Sequence, residues 1–578
     1  MKLRLVIPQD LRGVYDAAVA DWTNNKKVER FWQKDAGLWT SQGEENWLNW
    51  TDVVASQQKD LAAFQWLAGE VKAAGFQSVL LLGMGGSSLC PEVLSVTFGR
   101  QPGFPALHIV DSTDPVQVKS IRDKVDLKNT LVIVASKSGS TLEPNILKQY
   151  FFEEMKKAVG ADKAGSRFIA ITDPGSKMEQ VAKADGFWKI FYGDPKIGGR
   201  YSALSNFGVV AAAVMGLDTS TLVSEAAKAV ELAKRQPADN PAVRLGLLMG
   251  TAANAGRDKI TLFTSPEIYD LGAWLEQLIA ESTGKLGKGI TPVDREAIGA
   301  PQVYGHDRIF VYVRLANTAD ASQDKPVAAI EAAGHPVVHI EISDLYEIFG
   351  QFFTWEVATA AAGAVMGINP FDQPDVESAK IETRRLTSEY EQTGRLSQSG
   401  PIYVGEGVKV YASEAYTKAL IESGTGASFS TYLRDHLSKI KAGDYFAVLA
   451  YLPMFSEYEE EIQEIRHRIR DMKRVATCVG FGPRFLHSTG QDYKGGPNTG
   501  VFLQITADHA RDLAIPGQKY TFGVVIDAQA AGDLAVLESR GRRALRVHLE
   551  DVEEGLETLR MAVDSALRAD PVESQDRR

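Results

Sequence analysis

The chain has 578 residues, 44% of them hydrophobic and 24% charged, with a net charge of −11. That length buries more than one core and should divide into two to four domains. No long single-sign block or basic stripe exists to neutralise a phosphate backbone, which argues against a nucleic-acid partner, and the acidic balance serves solubility. The only cysteines are Cys90 and Cys478, and the nine histidines are dispersed, so neither a disulfide framework nor a metal-ligand cluster is indicated and no cofactor is expected. Met1-Lys2-Leu3-Arg4 leads into mixed polar sequence rather than a signal peptide, and the longest small apolar run, Ala358 to Ile368, is too short to span a bilayer. The expected address is the cytoplasm, with no membrane partner.

In chain order, residues 1–70 read as helices rich in Trp (Trp22, Trp32, Trp39, Trp47, Trp50, Trp66), a helical segment packed on something larger. Residues 71–235 alternate: helix 60–74, then apolar strands at 78–82, 107–110, 131–134 and 167–171 with helical spacing between them. Short apolar strands alternating with amphipathic helices predict an α/β, doubly wound parallel sheet covered on both faces. The alternation resumes over 236–385 with strands at 259–264, 308–313 and 337–342 and a helix over 271–282. The loop 314–327 between them is polar and reads as exposed. Residues 386–578 read as a smaller α/β region with strands at 445–452, 475–479, 501–506 and 520–527. Helix 459–473 pairs Glu464 with Arg468 on a solvated face, and the tail 570–578 reads as disordered.

Ligands of open α/β sheets sit outside the carboxyl ends of the strands, and four turns there carry chemistry. Ser136-Lys137-Ser138-Gly139-Ser140-Thr141 lies between an apolar strand and a helix start, an order that converges backbone N–H groups, hydroxyls and an ammonium on one point suited to a phosphate monoester. A Walker pattern is absent, so a sugar phosphate fits better than a nucleotide; the plainer alternative is a tight turn. Gly83-Met84-Gly85-Gly86-Ser87-Ser88 fails the dinucleotide fingerprint at its third glycine, but it still lets backbone approach a ligand at Gly85 and Gly86, with Ser87 donating. Gly198-Gly199-Arg200 sets a permanent cation beside backbone, as an oxyanion stabiliser or as a surface salt bridge. Gln277 and Glu281, one helical turn apart, offer a carboxylate flanked by apolar surface, a general base or an ordinary helix-terminal Glu.

Together these pieces resemble the phosphoglucose isomerase family. Its G-x-G-G-S-x-L-x-P matches Gly83 to Pro91, its S-K-[ST]-x-[ST]-T-x-E matches Ser136 to Glu143, and its G-G-R-x-S matches Gly198 to Ser202. Its Q-x-x-x-E-S-x-G-K matches Gln277 to Lys285, and N-x-F-D-Q-x-x-V-E-x-x-K matches Asn369 to Lys380. The resemblance implies two sugar-isomerase (SIS) domains and a metal-independent isomerisation of glucose 6-phosphate and fructose 6-phosphate through a cis-enediol(ate), a step of glycolysis and gluconeogenesis. It implies that Ser87, Ser136, Lys137, Ser138 and Thr141 hold the phosphate, and that Glu281 moves the C2 proton. Arg200 is then the oxyanion stabiliser, and Gln277 and Gln373 bind sugar hydroxyls.

The family's ring-opening histidine, in a segment like H-S-x-G-Q, normally falls between the E-S-x-G-K and F-D-Q motifs, where this chain has only His306, His335 and His339. His487-Ser488-Thr489-Gly490-Gln491 instead follows Lys380 by about 100 residues, counted along the sequence. His487, acting with Lys380, is favoured over His306 for ring opening, with a structural histidine as the remaining reading. The C-terminal region resembles the isomerase half of the bifunctional transaldolase/phosphoglucose isomerase proteins, here without room for a transaldolase barrel. Family members pair as dimers because a neighbour's histidine completes each site, so a homodimer is possible here. Two rivals are weighed: the isomerase half of a glucosamine-6-phosphate synthase, for which neither cysteine can serve as the glutaminase nucleophile, and a non-catalytic sugar-phosphate sensor, which needs no base.

Overall fold

The computed structural model describes residues 1–317, 322–396, 400–421 and 428–569. The expected disordered tail, 570–578, lies outside them, as does part of the polar loop 314–327. Three sheets organise the chain. In the first, Ala106–Val110, Ser78–Leu82, Thr130–Ala135, Phe168–Thr172 and Lys189–Tyr192 lie side by side in that order, all parallel. Every residue of Thr130–Ala135 and of Phe168–Thr172 is buried, which is why these strands are continuously apolar rather than alternating: helices cover both faces.

The second sheet runs Lys2–Val6, Val337–Ile342, Arg308–Leu315, Lys259–Thr264, Thr291–Val293, parallel except for its first member. The third orders Tyr403–Gly405, Val408–Tyr411, Arg543–Leu549, Gly500–Ala507, Tyr445–Tyr451 and Ala476–Phe481; its last four strands are parallel and the first two form an antiparallel edge. One apolar core joins the N-terminal helices to the first two sheets, and a separate one fills the third unit. Among the predicted Trp residues, Trp22 and Trp50 are fully buried, while Trp39 Nε1 donates to the Ala360 carbonyl at 2.8 Å. Trp66 remains 44% exposed.

The sequence reading lacks the strands Lys189–Tyr192, Thr291–Val293, Tyr403–Gly405, Val408–Tyr411 and Arg543–Leu549, and two segments that it assigns take another form. The opening segment begins with the strand Lys2–Val6, not a helix, and pairs antiparallel with Val337–Ile342. Its alternation of charged and apolar residues suits a sheet edge, where Lys2 pairs with Glu341 and Arg4 with Glu331. Residues 520–527, read as a strand, open the helix Phe522–Ser539. The β-branched run there favours a strand, but Thr521 caps the Val524 N–H and Asp512 accepts from the Gly523 N–H at 2.8 Å, so the cap and the packing override propensity.

Helix Ile348–Met366, buried along most of its length, carries Glu356 at 0% exposure, and neither carboxylate oxygen has a hydrogen-bond partner among the described residues. Burial pushes this carboxyl well above the ordinary Glu range. Its folded form therefore keeps a proton that the unfolded chain releases, so the cost of this residue is absent below the unfolded pKa and grows as pH rises above it. Glu356→Gln is expected to be more stable than the parent at pH 8. The gap should widen by up to about 1.4 kcal/mol per pH unit between pH 5 and the folded pKa. Denaturant unfolding at both pH values checks this, and an equal gap at pH 5 and pH 8 would refute it.

Candidate active site

Strand Ser78–Leu82 ends in the tight turn Gly85–Ser87, and its neighbour Thr130–Ala135 ends in the loop leading to helix Leu142–Val159. Thr141 occupies the N-cap of that helix without a side-chain capping bond, and since Pro144 has no N–H and the Glu143 N–H meets its own carboxylate, the first turn offers a ligand the Leu142 N–H. Ser136 Oγ is buried and has no partner among the described residues. Ser138 and Ser140 hydroxyls meet at 2.7 Å. The expected convergence of the Lys137 ammonium on this loop is not observed. Its Nζ lies 2.9 Å from Asp173 Oδ1 and 2.9 Å from the Asp194 carbonyl, drawn there by a half-buried carboxylate at the end of the next strand. Lys137 still lines the cleft.

The glycines set how closely the walls approach. Gly85 has φ +54, and a Cβ on it would fall 2.7 Å from Gln277 Nε2 and 2.9 Å from the His487 carbonyl. A Cβ on Gly86 would lie 2.0 Å from the Gly199 carbonyl oxygen. The turn carrying Ser87 is thus held directly against the turn carrying Arg200.

Arg200 is 1% exposed and has every arm engaged. Nε donates to Ser282 Oγ at 2.8 Å, Nη1 to Gln373 Oε1 at 2.9 Å, and Nη2 to the carbonyls of Pro370 and Asp372 at 2.7 and 2.8 Å. Nη1 also stands 3.5 Å from Glu281 Oε1. Glu281 is 8% exposed at the end of helix Leu271–Thr283, and its other oxygen accepts from Gln277 Nε2 at 3.0 Å. Lys285, just beyond the helix, clamps Asp372 through its carbonyl and carboxylate, and burial lowers its ammonium to about 8.

His487 enters from the third unit, on the Arg484–His487 turn that follows strand Ala476–Phe481. Its carbonyl accepts from Gln277 Nε2 at 2.8 Å, and its ring Nε2 meets Glu143 Oε1 at 3.0 Å. Burial alone would raise the Glu143 carboxyl. The charges of His487 and Lys380 and the bond from His487 outweigh burial and hold it below the ordinary range. Arg484 pins the turn: its guanidinium meets both oxygens of Glu92 at 2.7 and 2.8 Å and Asp111 at 3.0 Å, all on the first unit. His306 lies apart from this cleft, its ring 6.5 Å from that of His335. Glu143 was within reach of the sequence reading, because it closes the S-K-[ST]-x-[ST]-T-x-E match, yet nothing in one dimension showed its histidine partner.

One cleft therefore gathers Gly85, Gly86, Ser87, Ser136, Lys137, Ser138, Thr141, Gln277, Glu281, Gln373, Lys380 and His487. Arg200 backs it through Glu281 and Gln373. Among the described residues no group of three or more His, Cys, Asp or Glu side chains is placed to hold a metal ion, and no helix is long and apolar enough to cross a membrane.

A hydroxyl-lined loop at a helix N-terminus, facing a carboxylate–guanidinium pair and a His–Glu pair, is the equipment of an α/β protein for acid–base chemistry on a small anionic ligand. The family model of phosphoglucose isomerase matches residues 34–305. A glucose-6-phosphate isomerase of Rubrobacter xylanophilus is 30% identical over 385 residues, which cover 58% of this chain and 87% of that protein. A glucose-6-phosphate isomerase of Trichormus variabilis is 30% identical over 288 residues, 48% of this chain and 53% of that protein. This chain belongs to the phosphoglucose isomerase family. In fold it resembles the crystal structure of a glucose-6-phosphate isomerase from Chlamydia trachomatis (TM-score 0.56, 18% identity, 66% of this chain and 86% of that one). It also resembles that of a hypothetical protein from Thermus thermophilus (TM-score 0.57, 23% identity, 66% and 99%).

The contact between the glycine turns gives a test. Gly86→Ala forces the Ser87 turn away from Arg200, and overpacking of this kind costs about 1–3 kcal/mol. A lowered unfolding midpoint together with weaker sugar-phosphate binding is expected by calorimetry. An unchanged protein would show that the two turns need not touch.

Proposed function

We propose that this chain is a glucose-6-phosphate isomerase, interconverting glucose 6-phosphate and fructose 6-phosphate through a cis-enediol(ate). The observation that carries the reading is the carboxylate of Glu281, held between Gln277 and Arg200 across the cleft from the hydroxyl-lined loop. The phosphate binds at Ser87, Ser136, Ser138, Thr141 and the Leu142 N–H that opens the following helix, where the unmet Ser136 hydroxyl gains an acceptor. Lys137 adds positive potential only if it leaves Asp173. This remote grip positions the sugar for the chemistry.

Ring opening falls to His487 with Lys380, which lines the same cleft and has no hydrogen-bond or ion-pair partner among the described residues. The imidazole, backed by Glu143, exchanges a proton with the ring oxygen and the C1 hydroxyl. Glu281 then takes the C2 proton and returns it to C1 on the same face. The oxygen charge that develops is met by Arg200, whose fixed guanidinium needs no reorganisation at that moment. Gln277 and Gln373 orient the hydroxyls. Positive charge at the reacting oxygens comes from Arg200 and Lys380, so no step calls for a metal or other cofactor.

Because His487 comes from the same chain, the site needs no neighbour's histidine, and the reading favours activity in a single subunit. The likeness of the C-terminal region to the isomerase half of the bifunctional proteins belongs to this reading, supported by the place of the His487 segment in that region. A glucosamine-6-phosphate synthase half and a non-catalytic sensor have no observation in their favour.

Turnover of fructose 6-phosphate in excess EDTA, coupled to glucose-6-phosphate dehydrogenase, is the direct test; binding without turnover would overturn the reading. Glu281→Gln is expected to lose turnover by about a thousandfold or more while still binding fructose 6-phosphate. His487→Ala should depress turnover of ring-closed glucose 6-phosphate more than proton exchange in an acyclic sugar phosphate. Equal effects would remove His487 from ring opening.

A further inference from the structure

Behind His487 the cleft continues into a second cavity, and one side chain on its wall has no part in the steps above. Glu143 Oε1 receives two partners: His487 Nε2 at 3.0 Å and Gln529 Nε2 at 2.7 Å. Gln529 belongs to helix Phe522–Ser539 and is 2% exposed. A carboxylate only accepts, so the amide must turn its N–H group to Glu143 and its carbonyl away. That carbonyl accepts from Thr113 Oγ1 at 2.6 Å. Thr113 is itself fully buried, just beyond strand Ala106–Val110. The chain of bonds runs Thr113 to Gln529 to Glu143 to His487, and each of its three links crosses between the first and third units.

Building on the isomerase reading, we infer that Gln529, oriented by Thr113, is a positioning residue for ring opening. By donating to the very oxygen that His487 meets, it fixes the Glu143 carboxylate and limits how strongly that carboxylate holds the imidazole proton. Without the amide, Glu143 is free to rotate off the imidazole, and while it stays its charge falls on His487 alone, making the imidazole more basic. Other charged groups around the pair are Lys380, Glu377 and Arg384 from helix Val376–Thr393 and Glu281 across the cleft. Arg484 lies on the histidine's own turn, locked to Glu92 and Asp111. On the Thr113 side are Asp114 and the His509–Asp527 pair. None of these supplies a neutral donor to Glu143 Oε1, so the substitutions below leave them in place.

The test uses the full-length protein and two substrates: ring-closed glucose 6-phosphate, and an acyclic four-carbon sugar phosphate whose C2 proton exchange with deuterated solvent needs no ring opening. Thr113→Val keeps the volume but frees the Gln529 amide to invert. It is expected to lower kcat on glucose 6-phosphate by about tenfold, to move the acid limb of kcat/KM up by about half a pH unit, and to leave the exchange reaction unchanged. Gln529→Leu should do the same more strongly, and adding Thr113→Val to it should change nothing further. If Gln529→Leu does not fold, Thr113→Val decides alone. A wild type inactive on every sugar phosphate would refute the isomerase reading. A wild type that turns over, with variants that keep its acid limb or lose both reactions equally, would overturn this inference and leave that reading standing.

Discussion

The site depends on one buried cation. Removing a guanidinium from water is costly unless each donor finds an acceptor, and Arg200 finds them on two separate segments: Ser282 beside Glu281, and the run from Pro370 to Gln373 that offers two carbonyls and an amide oxygen. The same charge that satisfies Glu281 therefore fixes the distance between the glycine turn of the first sheet, the helix of the second and the segment leading to Lys380. The missing side chain of Gly86 lets that cation's own turn press against the Ser87 turn, so the hydroxyl-lined side inherits the same reference point. A surface arginine could do none of this, because solvent would answer its donors and leave the segments independent.

Much of this arrangement was legible in the chain itself. Strands such as Lys259–Thr264 and Val337–Ile342 announce themselves as short apolar runs, and the glycine, hydroxyl and arginine turns sit at their carboxyl ends or after helices in a fixed order. What stayed hidden involves partners far apart in sequence. Glu143 and Gln529 are 386 residues apart, and Thr113 and Gln529 are 416 apart; nothing local in either segment marks a bond between them. The edge strand Lys2–Val6 escaped because its partner lies more than three hundred residues away, and five residues hold too little periodicity to stand alone. The helix at Phe522 was masked by β-branched residues whose preference the third unit's packing outweighs. Lys137 shows the converse limit: a sequence can give the charge but not the direction in which a flexible side chain points.

The third unit supplies the histidine, the arginine that pins its turn and the glutamine behind Glu143. It is bound to the first unit by charge-assisted and amide hydrogen bonds and by a shared apolar cluster in which Ile515, Phe522 and Val525 join first-unit residues such as Tyr150, while its main hydrophobic cluster is separate. Directional bonds of this kind set orientation more sharply than apolar contact, which resists sliding only weakly. In the ring opening proposed above, a histidine that meets a ring oxygen within hydrogen-bond reach needs that sharpness.

The separation of Gln277 from His487 by 210 residues also orders the birth of the site. As the chain leaves the ribosome, the hydroxyl loop, Arg200 and Glu281 emerge first, and domains fold in that sequence. On the isomerase reading proposed above, a nascent chain at that stage holds the phosphate loop and the carboxylate but not yet the imidazole. On that reading, proton-transfer competence arrives last, when the third unit docks and brings His487 into the cleft.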